Sequence, residues 1–242
     1  MIKTILRRPL FAVLLLAAAC TPYNTDWMDA ARTGDLRSLR HDLEKGAAID
    51  TKDNRGETAL STAALKGYEE VAAFLAGKGA DINTTNKDRV TPLMYSAGHG
   101  FTNIVSLLLQ KGAQVNTISK EGLSPLLYAC LNDHIAVAWL LIKYGADINI
   151  KLYDDDTILM MLAARSNTTL ARILIDNGAL INARNKYDNT ALMNACRNSD
   201  TAMVKLLLAH KADASVKDSN GDDALAHATR TGNAAIIGLL KK

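Results

Sequence analysis

Five histidines are the residues of this chain best suited to general-base chemistry or metal binding near neutral pH. They are His41, His99, His134, His210 and His227. No pair of them has the spacing of a helical zinc site, and no third ligand stands nearby in the sequence. A nucleophile would need a serine or cysteine in a strained turn beside a histidine, and the chain has no glycine-rich phosphate loop of the usual spacings. The sequence therefore predicts no catalytic residues, no metal and no cofactor.

Two other groups of residues could contact a partner protein. The triplet Asp154-Asp155-Asp156 either attracts a basic surface or forms a solvated loop that tolerates acidic residues, and the solvated loop is the favoured interpretation. The series Tyr95, Tyr128 and Met161 contains residue types that supply much of the energy in protein interfaces. Such a series more often packs between units, but the two tyrosines fall at a variable position and stay candidates for binding.

One sequence pattern returns every 33 residues and organises the chain. Its clearest row is apolar and consists of Trp27, Leu60, Leu93, Leu126, Leu159, Leu192 and Leu225. Three places later stands a row of small residues with one leucine among them: Ala30, Ala63, Ser96, Ala129, Leu162, Ala195 and Ala228. A fixed period in this range indicates an array of one supersecondary unit, in which each unit contacts only its neighbours.

Each full unit opens with a polar turn that leads into a first helix. A hydroxyl side chain precedes that helix and can accept the free N–H groups of its first turn, at Thr58, Thr91, Ser124, Thr157 and Thr190. Pro92 and Pro125 come one residue later, where a missing N–H costs nothing. A second helix ends at a glycine, which becomes Lys211 in the sixth unit. The pattern predicts an all-α solenoid of about seven helix-turn-helix units.

These units resemble ankyrin repeats. The resemblance is carried by Gly56-Glu57-Thr58-Ala59-Leu60, Val90-Thr91-Pro92-Leu93 and Gly79-Ala80-Asp81-Ile82-Asn83. It covers residues 26–242, with units starting near 26, 53, 86, 119, 152, 185 and 218, and it implies β-turn fingers between the helix pairs. The family's histidine after the helix-entry leucine is absent throughout, and the fifth unit lacks the turn glycine.

The resemblance also implies a partner protein on the concave face, which turn tips and the exposed ends of the first helices form in this family. Carried onto this chain, and with Tyr128 added, the expected partner-binding residues are Tyr153, Asp154, Asp156, Lys186, Tyr187, Arg165, Arg197, Asn132, His99 and Lys120. Glu57 is expected at a turn tip as well. The aromatic and arginine residues in the middle of this set have the character of an interface hot spot.

The two cysteines of the repeat region, Cys130 and Cys196, lie two periods apart. Helices stack at about 8 to 10 Å, so two repeats separate the cysteines by roughly 20 Å. A disulfide requires Cα atoms within about 7 Å. We therefore expect two free thiols, buried at a small inward position and packing like slightly larger alanines.

The N-terminus has the form of a secretory signal peptide. Lys3, Arg7 and Arg8 precede an apolar run at 10–18, which is shorter than the roughly 20 residues of a membrane-spanning helix. The run ends in Ala17-Ala18-Ala19-Cys20, which resembles the cleavage box of bacterial lipoproteins. That resemblance implies a signal peptide at 1–19, a lipidated Cys20 and a tether at 20–25. Ordinary cleavage beside an unmodified Cys20 is the alternative.

The net charge and the N-terminal signal limit the functions that the chain can have. The formal charge of +3 falls to zero once the three basic residues of the signal are removed, so the basic excess that nucleic-acid binding requires is missing. Thr21, the residue after Cys20, resembles the residue found in outer-membrane lipoproteins more than the aspartate usual in inner-membrane ones. We expect a monomeric, non-enzymatic protein-binding module in the periplasm, anchored to the membrane by lipid alone, acting as an inhibitor or immunity protein. The alternatives are an envelope scaffold, a stress-protection protein, or a hydrolase with its site in the turns.

Overall fold

A computed structural model describes residues 23–241 of the 242-residue chain. The signal peptide and Cys20 lie outside these residues. Within them the chain forms fourteen α-helices, two in each of seven units: α1 Tyr23–Thr33, α2 Leu36–Glu44, α3 Ala59–Lys66, α4 Glu69–Gly77, α5 Pro92–Gly98, α6 Thr102–Gln110, α7 Pro125–Leu131, α8 Ile135–Lys143, α9 Ile158–Ala164, α10 Thr168–Asp176, α11 Ala191–Arg197, α12 Thr201–Ala209, α13 Ala224–Thr231 and α14 Ala234–Leu240. The prediction of an all-α solenoid is confirmed.

Helix α1 begins at Tyr23, three residues before the predicted start of the repeat region. Pro22 directly precedes it, and helices accept proline at their start because the first N–H groups have no partner within the helix. Residues 23–25 of the predicted tether are therefore helical. None of the helices between residues 23 and 241 has the length and apolar character needed to cross a bilayer.

The helices form two layers that run the length of the array. The first helices of successive units pack side by side in one layer, and the second helices pack side by side in the other. The apolar row is buried from Trp27 to Leu192, whereas Leu225 in the last unit is only half-buried. The last unit has no further neighbour to cover it, so a partly exposed row is expected there.

Hydroxyl side chains begin the first helices as the sequence predicts. Thr58, Thr91, Ser124, Thr157 and Thr190 each accept the N–H three residues later, at 3.2 to 3.3 Å. The N–H of Thr58 is in turn bound by Ser61 Oγ at 2.8 Å, and that of Thr91 faces the sulfur of Met94 at 3.4 Å. Serine and methionine thus occupy, at the helix entry, the place of the missing family histidine.

A five-residue finger precedes each of the last six first helices, at 53–57, 86–90, 119–123, 152–156, 185–189 and 218–222. Each finger is closed by one backbone bond from its first N–H to its last carbonyl, at 2.8 to 3.2 Å. Neighbouring fingers are joined by a second kind of backbone bond. It runs from Lys87 N to Arg55 O, from Lys120 N to Asp88 O, from Lys186 N to Asp154 O and from Ser219 N to Tyr187 O. The fingers thereby form a ladder along one edge of the array, with bonds at four of its five junctions.

Asparagines tie the units together at the end of the second helices. Asn149 donates to the carbonyl of Gly178 at 3.2 Å and accepts the N–H of Leu180 at 2.9 Å. Asn83, Asn116 and Asn182 make the same two contacts with the units that follow them. Fingers on one side and asparagines on the other hold the stack in register.

Candidate partner-binding site

The finger ladder is interrupted at one place, between units four and five. By the spacing of the other bonds, Tyr153 N should donate to Glu121 O, but no such bond occurs in the region from residue 23 to residue 241. Both residues are exposed, and Tyr153 retains 88% of its accessible surface. One backbone donor and one backbone acceptor of exposed residues are therefore left without a partner among residues 23–241.

The finger that opens unit five, residues 152–156, is named the fifth finger after its unit. Its turn explains the missing backbone bond. The other five fingers have one residue with positive φ, and the fifth has two in succession, Asp154 at 64° and Asp155 at 63°. Leu152 is also the only apolar residue at a position that otherwise holds a polar acceptor: Asp53, Asn86, Ser119, Asn185 and Asp218. Each of those side chains accepts an N–H of its own finger. Because leucine cannot, the fifth finger takes a different turn.

The layer of first helices opens at the same junction. Helices α7 and α9 pack less closely than any other neighbouring pair of first helices. Leu162, on α9, is fully buried and stands in the row that is otherwise alanine or serine. A leucine needs more room than an alanine between two packed helices, and we attribute the wider spacing to it.

An apolar pocket of about 240 Å³ lies in this opening. Its lining is dominated by aliphatic and sulfur-containing side chains from the two fingers and the two helices: Leu123, Leu127, Leu131, Leu152 and Met161. Glu121, Gly122, Lys151 and Tyr153 complete the lining. Leu123 matters in particular, because the same position is polar in four other fingers, at Glu57, Asp156, Asn189 and Asp222.

Four of the predicted binding residues meet beside this pocket. The ammonium of Lys186 lies 5.3 Å from the ring centre of Tyr153 and 4.8 Å from that of Tyr187, and it forms an ion pair with Asp154. The hydrogen bond that Lys186 donates to the Asp154 carboxylate raises the pKa of Lys186, with a further contribution from Tyr187. Lysine thus holds two exposed aromatic rings in place, which reduces the ordering cost of using them in an interface.

The acidic triplet is engaged within the chain. Asp154 pairs with Lys186, Asp155 lies 3.5 Å from Lys151 Nζ, and Asp156 accepts a 2.7 Å bond from Asn185 Nδ2. These contacts within the chain do not support the interpretation of the triplet as a contact for a basic partner.

The other predicted residues are spread along the same face. Arg165 pairs with Asp133 at 3.5 Å, Lys120 lies 3.9 Å from Asp88, and Arg197 donates to Asn189. Two residues bond mainly to their own helix: His99 Nδ1 lies 2.9 Å from Tyr95 O, and Asn132 Nδ2 donates to Tyr128 O.

Two tyrosines and Glu57 are less available than expected. Tyr128 is half-buried against Gly98, and Tyr95 donates a 2.5 Å bond to Glu57. Glu57 is only 4% exposed, so its placement at an exposed turn tip was wrong. Its carboxylate also binds Ser61 Oγ and Asn86 Nδ2, and these three polar partners account for its burial.

Asp218, Asp222 and His227 form a cluster of potential metal ligands in the last unit, with ligand atoms within 4.8 Å of one another. Their atoms already have protein partners. One oxygen of Asp218 accepts N–H groups from Asn220 and Asp222, the other lies 2.9 Å from His227 Nε2, and Asp222 pairs with Arg230 at 2.5 Å. The cluster therefore serves to fix the last finger onto the last first helix.

The two cysteines are free and buried, as predicted. Burial raises the pKa of both thiols to about 12. A thiol with such a pKa is almost entirely protonated near neutral pH, so neither residue has the character of a reactive nucleophile.

Among the exposed aromatic residues, Trp139 was missed by the sequence analysis. Trp139 on the outer helix α8 is 52% exposed, and Ile135 one turn earlier is 43% exposed. The corresponding residues of the other units are small or charged: Arg40, Ala73, Ser106, Arg172, Lys205 and Gly238. The periodic alignment contained this signal, because a tryptophan in an otherwise polar or small row cannot belong to the shared core.

A stack of paired helices that repeats every 33 residues and exposes aromatic side chains is the architecture of a helical-repeat protein. Comparison with known proteins identifies the family. A family model for ankyrin repeats in three copies matches residues 74–152 and 154–242, and the single ankyrin-repeat model matches 55–87. Two ankyrin repeat proteins of Rickettsia felis are each 42% identical over 48 residues, which is 20% of this chain and 76% or 73% of theirs. The chain belongs to the ankyrin repeat family, whose members are typically non-enzymatic protein-binding modules.

Proposed function

We propose that the chain binds one partner protein on its finger face, with the cluster of Tyr153, Lys186 and Tyr187 and the adjoining pocket at the centre of the interface. The observation that carries this proposal is the pair of exposed aromatic rings held by one lysine beside an apolar pocket. Tyrosine and arginine are enriched at interface hot spots, and a rigid array presents them with little ordering cost.

Affinity capture from envelope extract tests the proposal. The bait is compared with a variant carrying Tyr153→Ala, Tyr187→Ala and Arg197→Ala, and with a matched control carrying Trp139→Ala on the outer helix. We expect the first variant to lose the partner and the control to retain it. If the control alone loses the partner, the outer face is the binding surface and the finger face is not.

We further propose that the protein works in the periplasm, attached to the outer membrane through lipid on Cys20. The support is the basic start, the short apolar run and the Ala-Ala-Ala-Cys exit in the sequence. Mass spectrometry of the mature N-terminus tests this directly. A diacylglyceryl-modified Cys20 is expected, and an unmodified residue at position 20 or later contradicts it.

Within this location, we propose that binding inhibits the partner, as an immunity protein does for an effector that acts in the periplasm. A preformed surface suits a stoichiometric inhibitor, because affinity is not spent on ordering the binder. The test is titration of the purified chain into the captured partner's own activity, with loss of activity at equimolar ratio as the expected result. Capture of two partners together, with no loss of activity, favours an envelope scaffold instead.

A further inference from the structure

We infer that the pocket between units four and five receives one apolar side chain from an extended, acidic segment of the partner. This inference rests on the proposed function and specifies the chemistry of its central contact. Three features of the opening carry it: the volume and lining of the pocket, the unpaired backbone groups at its mouth, and the charge along the fingers.

The volume fits a single side chain. Apolar protein cavities of about 150 Å³ accept a benzene-sized molecule, whereas sites for drug-sized ligands span about 300 to 1,000 Å³. At about 240 Å³, this pocket takes one aromatic or branched aliphatic group and little else. Its lining contributes no buried polar atom that would demand a partner, since Leu123 and Leu152 replace the polar residues of the other fingers.

The backbone groups at the mouth of the pocket match those of an extended strand. At the other four finger junctions the N–H and the carbonyl satisfy each other, but here Tyr153 N and Glu121 O have no hydrogen-bond partner among residues 23–241. A segment in extended conformation presents its own carbonyl and N–H at adjacent positions along one edge and can satisfy both groups. Its side chain between those two bonds then points into the pocket.

Charge along the fingers favours an acidic segment. The carboxylates of Asp88, Asp154, Asp155 and Asp188 are each paired with a lysine or arginine of the chain. In contrast, the exposed cations Lys66, Lys87, Arg89 and Arg197 have no carboxylate within salt-bridge distance among residues 23–241. Among residues 23–241, Glu121 is the finger carboxylate without a polar partner, and it lines the pocket itself. The attraction for acidic residues therefore comes from the unpaired cations to either side of the pocket.

Three capped pentapeptides test the inference by NMR titration of the isotopically labelled full-length chain. They are Asp-Gly-Phe-Gly-Asp, the same peptide with alanine in place of phenylalanine, and Lys-Gly-Phe-Gly-Lys. We expect the first to cause saturable amide shifts at Gly122, Leu123 and Tyr153. The alanine peptide should bind at least tenfold more weakly, and the lysine peptide several-fold more weakly. Equal binding of all three, or shifts centred elsewhere, would overturn the inference.

Variants of the chain separate the pocket from the rest of the face. Leu123→Asn introduces the residue found at the same place in unit six, and it should weaken the first peptide at least tenfold while the circular dichroism stays unchanged. Leu180→Asp is the matched control, because this exposed leucine lies outside the pocket and its counterparts Asp147 and Asp213 are acidic. Unchanged peptide affinity in Leu123→Asn contradicts the pocket.

Partner capture with the same variants distinguishes the two proposals. If Leu123→Asn still captures the partner while the Tyr153, Tyr187 and Arg197 variant does not, the pocket inference fails and the proposed function stands. If none of these variants changes capture, the proposed function fails, whatever the peptides do.

Discussion

At the scale of single residues, Lys211 is strained where its counterparts are not. It adopts φ of 66° at the position where five other units have a glycine with positive φ. A left-handed conformation costs a non-glycine residue about 1–2 kcal/mol, partly offset by the greater freedom of glycine in the unfolded chain. We expect Lys211→Gly to stabilise the protein by about 0.5–1 kcal/mol in urea unfolding. Lys211→Ala, which keeps the strain, should give no such gain.

Asp218 is a residue whose titration should make the stability of the protein depend on pH. Burial acts to raise its pKa, but bonds from the N–H groups of Asp222 and Asn220 and from His227 outweigh burial and hold the pKa below its ordinary value. A lowered folded-state pKa stabilises the protein above the unfolded pKa of about 3.9, and that stabilisation is lost as the pH falls through the folded value.

Asp218→Ala should therefore cost about 1–3 kcal/mol at neutral pH, because it leaves two finger N–H groups and His227 without their acceptor. The difference from the parent chain should shrink below about pH 4. Chemical unfolding at a series of pH values measures it. Asp218→Asn keeps the acceptor oxygen, as Asn86 and Asn185 do in other fingers, and should cost less at neutral pH. A gap that widens in acid would contradict this account.

Residues that serve the shared unit could be predicted from the sequence, and residues that depart from it could not. The capping row from Thr58 to Thr190 and the buried thiols follow from position in the repeat alone. Glu57 was misplaced because its burial depends on Tyr95 and Asn86, which belong to the next unit. Trp139 was missed because the prediction was built on residues that the units share, and Trp139 differs from its counterparts in every other unit.

At the scale of helices and fingers, the junction of α7 and α9 follows from one side chain. If Leu162 holds these helices apart, its removal lets them approach to the spacing of their neighbours. A buried leucine changed to alanine usually costs about 2–5 kcal/mol, and the cost is lowest where the site can collapse. We expect Leu162→Ala to cost less than about 2 kcal/mol.

Leu159 provides the control for this prediction, because it is buried on the same helix in a row that is leucine in five other units. Leu159→Ala should show the full cost of about 2–5 kcal/mol. Urea unfolding followed by circular dichroism compares the two variants. Equal costs would mean that α9 cannot move toward α7, and that another feature sets the spacing.

The existence of the fifth finger was predictable, but its geometry was not. The aspartate triplet marks it as unusual in the sequence, whereas the missing glycine does not, because the fingers with Arg89 and Asp188 lack that glycine as well. The pocket, however, depends on substitutions in different rows of the repeat: Leu123 and Leu152 line it, and Leu162 lies on α9 at the same junction without lining it. Each alone reads as an ordinary apolar residue, and only packing shows that Leu123 and Leu152 adjoin one opening.

At the scale of the whole molecule, the cooperativity of unfolding is limited by the least stable interface between neighbouring units. Stability in a repeat protein is approximately the sum of unit and nearest-neighbour terms. The junction between units four and five lacks the finger bond and has loosely packed first helices, whereas α8 and α10 still pack in the outer layer. Its interface term should therefore be the smallest among the central junctions.

Native-state hydrogen exchange in low concentrations of urea tests this consequence. We expect two cooperative blocks, α1 to α8 and α9 to α14, that open with different free energies and meet at the fifth finger. Leu162→Ala should bring the two free energies of opening closer, because a tighter junction couples the blocks. Ala195→Leu places a leucine at the same position of unit six, and it should move the boundary between the blocks toward the junction of units five and six. Protection that declines smoothly from both ends, with no step near residue 152, would show that the outer helices alone keep the array cooperative.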